Sequence, residues 1–140
     1  STPTSNQPNQ EIVMAYGIST YLANKLLDHA FRNTTYTPPA TVYARMHTGD
    51  PGAAGTSNGS SVTTRYACAW SAASGGSIAM SNTPEHTLGA SETITGVSFW
   101  DASTSGNFLY SAQASVSKGG VSGDIIRISS NSISFTPLAS

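Results

Sequence analysis

Residues 31–52 read FRNTTYTPPATVYARMHTGDPG, and this stretch decides the fold. An amphipathic helix runs into it and a β-strand runs out of it. Pro38 and Pro39 set the corner between them, because proline locks φ and pushes the residue before it out of the helical region. Beyond the corner Val42, Ala44 and Met46 alternate with Tyr43, Arg45 and His47, the period of a strand with two distinct faces. Gly49-Asp50-Pro51-Gly52 then ends the strand with turn chemistry. The stretch reads as a structural joint, not as a reaction centre.

Upstream, Ser19 to Arg32 is the one convincing helix. Ser19 or Thr20 can cap it. Ile18, Leu22, Leu26 and Ala30 recur every fourth residue, and Ala23, Leu27 and Phe31 form the adjacent row. This apolar stripe is expected to pack on a sheet, with Asn24, Lys25 and Asp28 toward water and His29 at the flank. Residues 1–11 read STPTSNQPNQE and offer no apolar face, so burial within their own segment cannot offset their ordering entropy. Two readings stand for residues 1–17: a disordered tail, or an arm that orders on a neighbouring subunit. Extended, the arm would reach about 55 Å at roughly 3.3 Å per residue.

Downstream, residues 50–61 are expected to form a flexible loop. Strands follow at 63–72, with Tyr66, Cys68 and Trp70, and at 77–82, with Ile78 and Met80. Residues 83–91 read as a loop, 93–101 as a strand carrying Ile94, Val97, Phe99 and Trp100, and 107–115 as its successor after a Ser-Gly turn. Residues 118–123 read as a turn, and 124–129 with 132–136 as a last hairpin. The expected fold is therefore mainly β: a single β-sandwich or barrel-like domain over residues 18–140, of about seven short strands, with one N-terminal amphipathic helix and the arm at 1–17. No period of 20 to 50 residues points to a solenoid or propeller.

Composition narrows the function. The chain has 140 residues, enough for one core, and only 9% of them are charged. Ser, Thr, Gly, Ala and Asn fill the gap, as in β-rich extracellular and virion proteins. Six basic and seven acidic residues are scattered to a net charge of −1, which argues against nucleic-acid partners and membrane attraction alike. The lone Cys68 forms no intrachain disulfide and sits in a strand pattern that buries it. No apolar run has the length of a transmembrane helix.

A family resemblance adds to this. Arg32-Asn33-Thr34, then Tyr36 to Tyr43, then a strand closing on Thr48-Gly49-Asp50-Pro51, resembles the layout of small virion proteins of tailed bacteriophages, of tail-fibre-like or head-decoration-like type. Gly96 to Tyr110 (GVSFWDASTSGNFLY) and Val121 to Ile128 (VSGDIIRI) are similar to further segments of that family. The polar tail before residue 18 is longer than the family's usual one. The resemblance implies a location on the virion and a role without chemistry.

A search for chemistry agrees. His29, His47 and His86 lack a second ligand at metal spacing, so no metal or other cofactor is expected. Asp50, Asp101 and Asp124 stand in turns, where carboxylates bond the local backbone. Glu11, Glu85 and Glu92 read as exposed. No nucleophile elbow, phosphate loop or dinucleotide fingerprint occurs, and no enzyme is expected. In Phe99-Trp100 the pleat sends one ring to each face, so one ring meets a second core side or lies exposed at an interface.

The leading expectation is a capsid decoration protein, a trimer whose partners are the major capsid protein and copies of itself. A tail-fibre, tail-tip or tail-decorating subunit is the alternative, and a module binding a host-surface glycan, through Trp100-Asp101 and Asn107, is the third. Partner contacts are expected from Thr4, Asn6, Gln7, Asn9, Gln10, Ile12 and Tyr16 on the arm, from Tyr36 and Pro38 at the joint, and from Trp100.

Overall fold

The computed structural model describes residues 16–135. The order is β1 (Gly17–Ile18), α1 (Thr20–Phe31), β2 (Val42–His47), β3 (Arg65–Cys68), β4 (Ser77–Ala79), β5 (Glu85–Thr87), β6 (Glu92–Trp100), β7 (Phe108–Gly120), β8 (Ile125–Arg127) and β9 (Ser132–Ser134). One five-stranded antiparallel sheet runs β1-β7-β6-β2-β3, and two small sheets pair β4 with β9 and β5 with β8. The result is the expected mainly-β, sandwich-like fold with one N-terminal helix.

The alternation in the quoted stretch sets both faces of the large sheet. Ala44 and Met46 point to one side, where Cys68, Val97 and Phe99 close a core with Trp70, Met80 and Ile128. Met46, Leu88 and Ile94 continue it against Ile126 and Ile128, so the two small sheets form the second layer. Each such fully buried aliphatic or aromatic side chain contributes about 1.5–3 kcal/mol. Trp70 packs edge-on to Phe99 at 5.6 Å between ring centres. Cys68 lies in this core as expected, and burial pushes its thiol up to about 11.

His47 and Trp100 point to the other side. Arg65 lies 4.1 Å over the Trp100 ring, and Phe108 flanks the indole at 5.6 Å. The segment at 48–62 covers this face. Here the structure corrects the reading of a flexible loop: Pro51, Gly55 and Ser60 are buried. Asp50 accepts the Gly52 N–H at 2.9 Å, the local turn bond expected of that carboxylate. Asp124 and Asp101 behave alike, accepting from Val121 N–H and Asn107 N–H.

Other boundaries shift for physical reasons. Residues 85–87 form a strand, β5, where a loop was expected. The residue this strand buries is a histidine, so apolar alternation gives no signal. β7 runs on to Gly120, past the expected end at 115. Segments 124–129 and 132–136 do not pair as a hairpin: β8 pairs with β5 and β9 with β4. Ser129-Ser130-Asn131 crosses between the two small sheets instead of turning back.

The helix is capped by Ser19, whose hydroxyl accepts the Leu22 N–H at 3.0 Å. It ends where Asn33 turns left-handed (φ 54°) and Thr34 N–H reaches back to the Asp28 carbonyl. The expected packing of its stripe on a sheet is only partly realised. No residue of α1 is fully buried; Leu22 and Leu26 are half-buried, and Leu27 and Phe31 are exposed.

Candidate functional site

An apolar groove of about 310 Å³ lies between α1 and the β4–β9 sheet. Ile18, Leu22 and Leu26 form one wall, Ile78, Ile133 and Phe135 the other, with Tyr110 between them. The helix periodicity builds the first wall, since i and i+4 stand above one another. The second wall follows from the β4–β9 register, in which Ile78 stands opposite Ile133. On another face of α1, Leu27 is 56% and Phe31 82% exposed. Asp28 and Arg32 neutralise each other along the helix. The helix thus carries an uncharged groove on one face and an uncharged ridge on another, apolar surfaces of the kind suited to protein contact.

Two buried histidines each meet a serine, so catalytic use must be weighed. His47 Nδ1–H donates to the Ser57 carbonyl at 2.8 Å. Its Nε2 accepts from Ser98 Oγ at 2.7 Å, and Ser98 in turn accepts from the Trp100 indole at 2.8 Å. His86 receives the Tyr66 hydroxyl on Nδ1 at 2.7 Å and meets Ser60 Oγ through Nε2 at 2.9 Å. Ser60 donates to Glu92, whose other oxygen accepts Ser61 N–H at 3.1 Å. Glu92 is therefore tied into the fold and not freely exposed as expected. His86, His47, Ser60 and Ser98 are all buried, and each chain of bonds closes on protein groups. These arrangements tie loop 48–62 and β5 to the sheet; the sequence held no spacing that would have revealed them.

Burial lowers the proton affinity of both imidazoles; at His86 the neighbouring Glu92 opposes this, and at His47 the bonded carbonyls do. Burial acts to raise the Glu92 carboxyl, but the donors Ser60 and Ser61 outweigh it and hold it below the ordinary range. An unfolded chain takes up histidine protons near pH 6.5, whereas the folded one resists. Stability is then complete above about pH 6.5 and falls as pH drops below it, and Glu92 adds a second loss below its ordinary range near 4.3. Urea midpoints measured from pH 8 to pH 4 are expected to show this decline, with a shallower slope between 7 and 5 in His86→Gln.

The family model described as Podophage GP4 fiber I protein gp80 matches residues 17–136. The chain belongs to this family. No curated protein matches the chain. As a member of this podophage fibre family it is a phage structural protein associated with the virion.

The expected contact residues fall in different places. Thr4, Asn6, Gln7, Asn9, Gln10 and Ile12 lie outside the described residues. Tyr16 is half-buried, its ring against Gly96 of the chain's own sheet. Tyr36 is half-buried and its N–H bonds His29, while Pro38 is exposed at the joint. Trp100 is only 6% exposed, and Asp101 holds both the backbone and side-chain N–H of Asn107. Of the two options open for the Phe99-Trp100 pair, the second core side is the one realised. The α1 groove was half legible: the helix stripe was read, but its second wall comes from strands whose partners were not foreseen. Among the described residues no helix is long and apolar enough to cross a membrane.

Proposed function

We infer that the chain is a structural subunit of a phage fibre or its attachment, acting by association through shape and without turnover. The observation that carries this reading is the uncharged α1 groove and ridge in a member of a fibre family. Leu27 and Phe31 stand on another face of α1 from the groove and are not part of it, so one copy's ridge can enter the next copy's groove. Such a contact closes as a reciprocal dimer if a two-fold axis relates the copies, as a ring if a rotation of higher order does, and otherwise runs on as a filament, the form a fibre needs. A second copy is the favoured occupant because knob and hole sit on the same chain and neither carries charge.

Sedimentation of the full chain tests this. The wild type is expected to be oligomeric, and the double variant Leu27→Asp, Phe31→Asp monomeric with an unchanged thermal midpoint, since both side chains are exposed. A monomeric wild type, or an oligomer that survives both substitutions, would overturn the assembly. Capsid decoration remains the second reading, favoured by the sparsely charged surface. Cryo-electron microscopy of intact virions separates the two: density on the tail supports the fibre, a lattice of copies on the head supports decoration.

A further inference from the structure

A second cleft, of about 490 Å³, opens under the far half of β7 and shares no residue with the α1 groove. Its origin is a break in the β6–β7 register. Ile94 pairs with Lys118 and Gly96 with Gln113, so residues 114–117 stand against the single residue Thr95. Met46, Ile94, Val97 and Ile126 contribute an aliphatic floor, and Gln113, Ser115 and Ser132 a polar rim. The volume is that of a small-molecule site, and an apolar floor under a largely polar wall suits a ligand with one apolar face and many hydroxyls.

Two residues that line this cleft carry donors left over by the protein. Asn131 Nδ2 is buried without an acceptor, an arrangement that costs free energy unless something else supplies one. Lys118 lines the same cleft and is in no ion pair among the described residues. The nearby carboxylates are committed elsewhere: Glu85 to Arg127, Glu92 to Ser60 and Ser61, Asp124 to Val121. A ligand that fits brings a negative charge for Lys118, hydroxyls for the serine rim, an apolar face for the floor, and an acceptor that the Asn131 amide reaches by turning Nδ2 toward the cleft. We propose that this cleft binds a carboxylate-bearing sugar residue, the sugar acid's C–H face lying on Ile94 and Ile126 and its carboxylate on Lys118. The proposal rests on the cleft alone and stands or falls separately from the assembly reading.

The test is a titration of the ¹⁵N-labelled full chain with D-glucuronate, and in parallel with D-glucose and acetate at equal ionic strength. Glucuronate is expected to shift the amides of 113–118 and 129–132 saturably in the millimolar range, more than either control. Lys118→Gln, at an exposed position, is expected to weaken this about fivefold, the worth of one exposed ion pair. Loss of the shifts in Asn131→Ala with a retained fold would support the second donor. No saturable shift, shifts elsewhere, equal binding of acetate or of glucose, or an unchanged Lys118→Gln variant would each overturn the proposal.

Discussion

Trp100→Ala is expected to unfold a large fraction of the domain's stability margin, not to strip a surface ring. The indole is sandwiched between the Arg65 guanidinium at 4.1 Å and Phe108 at 5.6 Å, and its N–H reaches Ser98 at 2.8 Å. Truncation opens a cavity costing about 3–5 kcal/mol. It also removes the face on which Arg65 lies, whose guanidinium is otherwise held by the Ala102 and Ser105 carbonyls. For a domain of this size the thermal midpoint should fall by about 10 °C. Calorimetry or urea denaturation checks it; a variant as stable as the wild type would show that the second face has no real core.

Gly55→Ala is expected to be nearly as damaging, although it adds a single methyl to a segment whose sequence reads as a loose loop. Gly55 has a φ of +74°, and a Cβ there would lie 2.5 Å from the Phe108 ring. Phe108 is itself packed on Trp100, ring centres 5.6 Å apart, so any retreat disturbs that contact. Backbone strain of about 1–3 kcal/mol adds to an overpacking cost of about 1–3 kcal/mol. Gly75→Ala is the control: its φ of +61° carries strain, but no atom lies within 4 Å of the new methyl. The gap between the two variants in urea midpoint therefore isolates the packing of loop 48–62.

The sequence was most legible where period and packing agree. The alternation from Val42 to His47 found β2 with its two faces, and the four-residue recurrence found α1 with its Ser19 cap. Legibility failed where a strand is three residues long and its partner is remote. Glu85–Thr87 buries a histidine that is acceptable only because Tyr66 and Ser60 satisfy it, and no local pattern announces those partners. The segment at 50–61 looked mobile from its Gly and Ser content, yet small residues are what let it lie flat against Phe108 and Arg45. The α1 groove shows the same division. Its helical wall was visible in the apolar stripe, while the opposite wall depends on Ile78 meeting Ile133 across more than fifty intervening residues.

That last pairing has a consequence for biogenesis. β4 leaves the ribosome long before β9, and Ile78 has no strand to sit beside until β9 is made. A product cut short before β9 would lack Ile133 and Phe135 and so would have no second groove wall. A ribosome stalled anywhere between Ala79 and Ser132 therefore holds a nascent chain with half a groove, its apolar helix side facing water and no opposing wall.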